Sequence, residues 1–339
     1  MTHSNCNNNY DFIRVIAIFS VIVLHTSSGP FKVYGDNWGQ FNIIISMVRW
    51  CVPVLFMLSG ALLINKNESI NVFFKKRASR IIIPLVFWSY VYIFFARNFH
   101  ELDPAHANPN VFINPLLLFK YPAYFHLWFL YAIIGVYLMI PLLRMIAKNA
   151  QVTMYVIIMW FIWFSVIPFV RSFGYLNGNL FFIFKLDVIP LWSGFALLGF
   201  FIQKNHSMIK SSYAMLLSIL GLITTIILTY FASIDGIPRE TFQSYQMPNI
   251  VIMASGVYIL LLKIKHPPLV VCRIAKYSFG IYLCHMLVMP FVWKISPFSN
   301  EKLVKLGAIL AIPSSIITFS ISLLVIYLIC KIPALKRVV

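Results

Sequence analysis

Acidic side chains are scarce in this sequence, with nine Asp and Glu against 27 Lys and Arg in 339 residues. Proton-coupled carriers work through carboxylates held in mid-span, and here only Asp187 is expected to lie deep, with Asp11 at an edge. That shortage tells against a coupled carrier. The five cysteines, Cys6, Cys51, Cys272, Cys284 and Cys330, show no C-x-x-C spacing and mostly fall in or beside apolar runs, as small packing residues do. No metal-ligand cluster, Gly-rich phosphate loop or Gly-x-Ser-x-Gly elbow is present. The absence of an internal repeat weakens an inverted-repeat transporter. Residues 1 to 9 hold no Lys or Arg, so a cleaved leader would lack its cationic region.

What the chain has in quantity is apolar surface: 60% of residues are hydrophobic, 17% aromatic and only 11% charged. This composition specifies an all-α polytopic membrane protein. Ten runs long enough to span, or nearly so, fall at about 10 to 28, 42 to 64, 80 to 97, 127 to 147, 152 to 170, 180 to 202, 212 to 233, 248 to 264, 274 to 295 and 304 to 330. The sixth is interrupted by Lys185, Asp187 and Pro190. The eighth is short and starts at Pro248, a favourable first helical position. Connections are short, except for a polar, Pro-interrupted stretch from about 98 to 126, so residues 1 to 339 are expected to form one transmembrane domain without an appended soluble one.

The formal charge of +18 is an orientation signal and not a nucleic-acid footprint, because the cations sort by loop. Sixteen of the 27 fall on one side, including Lys66, Lys75, Lys76, Arg77, Arg80, Arg144, Lys276, Lys336 and Arg337, and nine on the other. The positive-inside rule then places both termini in the cytoplasm.

Two residues able to carry positive charge stand in the first run. Arg14 and His25 are eleven positions apart, which puts them on one helix face and roughly 16 Å apart along the axis. Ionisable groups at membrane depth are costly and are kept chiefly where they line a cavity or a path. Arg77 and Arg80, three apart beside Lys76, read either as a phosphate grip at the start of the third span or as a topogenic basic cluster. Arg49, in the outer third of the second span, either snorkels or lines the site. Pro53 and Ser59-Gly60 in the same span suggest a kink and a close helix contact. His126 and Trp128 open the fourth span at the face toward which His25 lies, and His285 sits near mid-membrane in the ninth.

Taken in order, Arg14-x10-His25, the run Val52-Pro53-Val54-Leu55-Phe56-Met57-Leu58-Ser59-Gly60, Arg77-x-x-Arg80, Phe125-His126-Leu127-Trp128-Phe129 and Ser278-Phe279-Gly280-Ile281-Tyr282 with His285 resemble the integral-membrane acyltransferase family type 3. The resemblance covers nearly the whole chain and is closest to the stand-alone branch that O-acetylates bacterial surface polysaccharides, among them the enterobacterial common antigen and O-antigen enzymes. It implies a ten-helix fold in the bacterial cytoplasmic (inner) membrane. The donor it implies is acetyl-CoA from the cytoplasm, used as a substrate with no permanently bound cofactor. The implied acceptor is a polysaccharide or undecaprenyl-linked glycan, at the membrane lipid surface.

Carried onto this chain, the resemblance makes His25 the essential catalytic residue and Arg14 its partner. It makes Arg77 and Arg80, with Lys76, the donor-binding cluster. His126, Trp128, Arg49 and His285 are the candidates for contact with the acceptor. An acidic residue soon after the first span would be Asp36. General-base action by His25 and a covalent acyl-imidazole both fit, and Arg14 either binds donor phosphate or holds the helix at the inner interface. The competing class, a transporter or channel lined by Arg14, His25 and Arg49, follows from the same ionisable groups read without the resemblance.

Overall fold

Residues 8–98, 115–175, 190–295 and 297–339 are described by a computed structural model, and among them the regular structure is helical, with no strand. The principal helices are α1 (Asn8–Phe31), α2 (Trp38–Val48), α3 (Cys51–Leu63), α4 (Ile70–Asn98), α5 (Trp128–Ile146) and α6 (Ala150–Ser172). They continue as α7 (Leu191–Asn205), α8 (Ser211–Ala232), α9 (Pro248–Leu262), α10 (Ser278–Lys294) and α11 (Ala311–Lys331). The polar stretch with His100, Glu101, Asp103 and His106, the residues Lys185 and Asp187, and Cys6 lie outside the described residues.

The helices divide into an inner and an outer set. α1 packs against α2, α3, α9, α10 and α11 and so sits at the centre. The span formed by α2 and α3 is 78% buried, whereas α6 is 17% and α8 22% buried, leaving their apolar side chains free to face lipid. The central helices α1, α3 and α10 carry three of the ordered sequence motifs.

Among the described residues, nine helical segments are long and apolar enough to cross a membrane. Nine crossings would leave the two ends of the chain on opposite faces, yet Arg14 near the start of α1 and Arg337 beyond α11 line one cavity. α7 supplies the tenth crossing. Leu191 and Trp192 at its start lie beside Arg49, and Gln203 near its end bonds the Tyr10 hydroxyl at the start of α1. Its 15 residues extend about 22 Å.

The second span bends as its proline requires. Pro53 offers no N–H to the carbonyl four residues back, which is that of Arg49, and its ring crowds that carbonyl. The helix is interrupted at Arg49–Trp50 and resumes at Cys51. Below the break α3 and α7 come into backbone contact: a Cβ on Gly60 would lie 1.8 Å from the Ala196 oxygen, and one on Gly199 would lie 2.2 Å from the Met57 Cα. In lipid, where apolar burial offers little drive for helices to associate, such close approach by small residues supplies the packing.

Two boundaries depart from the sequence expectation. The third span starts at Ile70, so Arg77 and Arg80 sit about two turns inside α4 and not at its N-terminus. The helix dipole and free N–H groups act within the first turn, so they do not contribute to an anion site at these arginines. The basic face extends the helix beyond the apolar layer because its long side chains keep their charges in water. The tenth run divides at Gly307, whose φ of 85° breaks the helix between Asn300–Leu306 and α11.

Candidate active site

At the end of the bundle where α1 begins lies a cavity of about 760 Å³ lined by Arg14, Arg77, Arg80, Lys276, Lys336 and Arg337, with Tyr137, Ser278 and Phe279. A second, of about 410 Å³, shares Arg14, Arg77 and Arg80, adds Lys66, and continues between Ile18, Leu55, Leu58 and Ile133 to Phe129 and Tyr282. No Asp or Glu lines either among the described residues.

The basic residues are held in different ways. Arg77 is 8% exposed; its guanidinium lies over the Phe73 ring at 5.4 Å and 3.7 Å from Glu68, and its Nε has no hydrogen-bond partner among the described residues. A buried guanidinium with unused donors on a cavity wall is ready for an anion. Arg14 donates to Asp11 at 2.9 Å, one turn back on the same helix, which holds it at the cavity. Burial, and next the Arg77 charge, push the Lys66 ammonium below the usual lysine value, an unfavourable crowding that an anionic ligand would relieve.

Lys76 does not join them. It lines neither cavity, and its exposed ammonium hydrogen-bonds Glu68 at 2.9 Å, which holds the Glu68 carboxyl below the usual carboxylate range. Arg144, which the sequence shows only as a loop cation, donates to the Leu63 and Glu68 carbonyls and lies 4.8 Å over Phe73. It closes the end of α3 and fixes the turn that carries Lys66 and Glu68.

The inner cavity ends against a cluster of imidazoles. His25 and His285 have ring centroids 5.3 Å apart, and His285 and His126 are 5.4 Å apart. Tyr282 ties the cavity to this cluster: it lines the cavity end, its ring lies 5.6 Å from His126 and 5.9 Å from His285, and its hydroxyl donates to the His126 carbonyl. His285 Nδ1 lies 2.6 Å from the Tyr282 carbonyl, so it carries the proton and leaves Nε2 as an acceptor.

His126 and His285 are 1% and 0% exposed; His25 alone of the three keeps accessible surface. Both His126 nitrogens and the His285 Nε2 have no hydrogen-bond partner among the described residues. Buried polar atoms left this way are costly and cluster where a ligand or a reaction uses them. The three rings form no metal-holding group.

A separate pocket of about 280 Å³ is lined by Arg49, Trp192, Glu240, Gln243 and Tyr245. Arg49 is buried, donates to Glu240 at 3.1 Å and Gln243 at 3.2 Å, and lies 5.5 Å over the Tyr245 ring. Its charge also reaches the His25 ring. Arg49 therefore lines a pocket and does not snorkel. Trp128 stands 5.1 Å from Trp192 and 6.3 Å from Tyr245, giving the pocket flat aromatic walls. Phe56 separates this pocket from the basic cavity, 4.6 Å from Trp192 and 4.9 Å from Phe129.

The structure thus assembles His25, His126 and His285 in one cluster, and Arg14, Arg77 and Arg80 at the basic end of the molecule. It keeps Arg14 about three turns of α1 from His25, so the two do not touch. Asp36 is exposed on the turn after α1. Sequence reasoning missed Glu240, Gln243, Tyr245 and Trp192. Those four lie outside the quoted motifs, whereas Tyr282, Phe129, Ser278 and Phe279 stood within them.

A multi-pass helical protein with an acid-poor basic chamber leading to buried imidazoles has the parts for taking a group from an anionic donor inside the membrane. The family model of the type 3 acyltransferase domain matches residues 7–331 of the chain, and the protein belongs to that family. It is a membrane acyltransferase. No curated protein and no solved structure matches it.

Proposed function

We propose that the protein transfers an acetyl group from acetyl-CoA to a hydroxyl of a cell-surface polysaccharide or its undecaprenyl-linked precursor in the bacterial inner membrane. The observation that carries this reading is Tyr282, which lines the inner basic cavity and whose ring lies 5.6 Å from His126 and 5.9 Å from His285, together with the polar aromatic pocket at Arg49. The basic end faces the cytoplasm by the positive-inside rule. Arg14, Arg77 and Arg80 bind the donor phosphates, and the apolar walls of the inner cavity take the pantetheine arm toward His25.

Chemically, neutral His25 takes the proton of the acceptor hydroxyl while that oxygen attacks the thioester carbonyl. The carbon–sulfur bond breaks, and the thiolate leaves with the proton returned by His25. A base so placed contributes about 10² to 10⁴ in rate. The His285 ring packs beside His25, and Trp128, Trp192 and Tyr245 offer faces for a sugar ring, with Arg49 and Gln243 at its hydroxyls.

Purified protein given acetyl-CoA labelled in the acetyl group should pass label to glycan, and surface glycans from cells lacking the protein should lose one acetyl mass increment. Label confined to water, or an unchanged glycan mass, rejects the assignment.

A further inference from the structure

The basic cavity has two chambers that share Arg14, Arg77 and Arg80. The chamber nearer the histidines adds only one cation, Lys66. The outer chamber adds Lys276, Lys336 and Arg337, the last two from the segment that follows α11. This segment is not a loose end. It forms a short turn, Lys336–Val338, packed on α4. Val338 is buried, and its carbonyl accepts the indole N–H of Trp88 at 2.8 Å, deep in α4.

An indole that is 2% exposed holds this carbonyl in place, so two flexible, exposed cations are carried on an anchored backbone. Anchoring matters because long side chains lose less freedom on binding when their Cα positions are already set. Three cations at the mouth, added to the shared arginines and facing no Asp or Glu side chain among the described residues of the cavity wall, exceed what one diphosphate needs.

We infer that the outer chamber is a second anion subsite, formed by Lys336, Arg337 and Lys276 and positioned by Trp88, which holds a phosphate ester separate from the one bound at Arg14, Arg77 and Arg80. This rests on the acyl-CoA reading above, and for that donor the ligand is the phosphate on the ribose. Trp88 touches no ligand. Its part is to hold the Lys336–Val338 turn against α4.

The test compares acetyl-CoA with acetyl-dephospho-CoA, which lacks only that ribose phosphate, in equilibrium binding to purified protein. Wild type should prefer acetyl-CoA on the order of tenfold to a hundredfold. The Lys336→Ala/Arg337→Ala variant should lose that preference while binding acetyl-dephospho-CoA as wild type does. Trp88→Phe, which keeps an aromatic ring but removes the N–H, should reproduce part of the loss without changing the maximal transfer rate. A double variant that retains the full preference overturns the second subsite, even though acetyl-CoA still binds. Failure of wild type to bind either compound instead overturns the donor assignment, and the subsite with it.

Discussion

The two ends of the proposed catalytic path are built from opposite materials. At the basic end, arginines and lysines line a chamber with no Asp or Glu side chain on its walls among the described residues, and the working groups are cationic. At the other end a single buried Arg49 is matched by Glu240 and Gln243, and the rest is aromatic ring and imidazole. The contrast separates two tasks. Holding a polyanion calls for excess charge near water, whereas moving a proton from a hydroxyl calls for neutral imidazole in a dry setting. A substitution at one end should therefore alter one kinetic quantity and spare the other.

The sharpest cut across that division is His25→Ala. Transfer should fall by about 10² to 10⁴, while acetyl-CoA binding stays within about twofold of wild type. Equal loss of both would mean that the two ends are one cooperative unit. Next in size is Arg77→Ala at the opposite end, expected to weaken donor binding about tenfold to a hundredfold with the maximal rate nearly intact. A collapse in maximal rate at saturating donor would move Arg77 into the chemistry.

Trp192→Ala should raise the acceptor KM several-fold through loss of one aromatic wall, roughly 1 kcal/mol, and leave donor binding alone. Titration of acceptor at fixed acetyl-CoA reads this directly. An unchanged acceptor KM removes the pocket from the acceptor path.

The smallest effect belongs to Glu68, the carboxylate that stands 3.7 Å from Arg77. Glu68→Gln should tighten donor binding within a factor of about five at neutral pH, because it removes the one negative charge competing for that guanidinium. The Lys76 hydrogen bond lowers the Glu68 pKa, so the interaction is fully present above the unfolded carboxylate value and is lost as pH falls through the folded one. Wild type and variant should then converge only at acid pH, below the range where an ordinary glutamate titrates. Convergence near neutrality would contradict the pairing with Lys76.

How far the sequence could go follows from which signals are local. Crossings are written in runs of apolar side chains, so nine helical segments were legible from residue order alone. The bend at Arg49 was legible too, because a proline acts on the carbonyl four residues back. The meeting of the three histidines was not, since Tyr282 and the His126 carbonyl it binds are 156 positions apart.

Four cations counted only for topology, Lys66, Lys276, Lys336 and Arg337, became cavity wall once the helices were packed. The reverse happened to Lys76, whose place in a basic run suggested a ligand but whose ammonium is held by Glu68. Charge in a loop states a side of the membrane; it does not state what the side chain faces.

The rings of Phe129, Phe56 and Trp192 stand in succession between the basic cavity and the outer pocket. A bundle hollowed from both faces concentrates the electric field of the membrane on its thinnest dry layer, and here that layer is this aromatic partition. Carrying one elementary charge across it costs about 2.3 kcal/mol for each 100 mV. On the proposed reading the polyanion stays below and only an uncharged acetyl group passes. The partition would then insulate the cell while the reaction ran at the same rate whatever the membrane voltage.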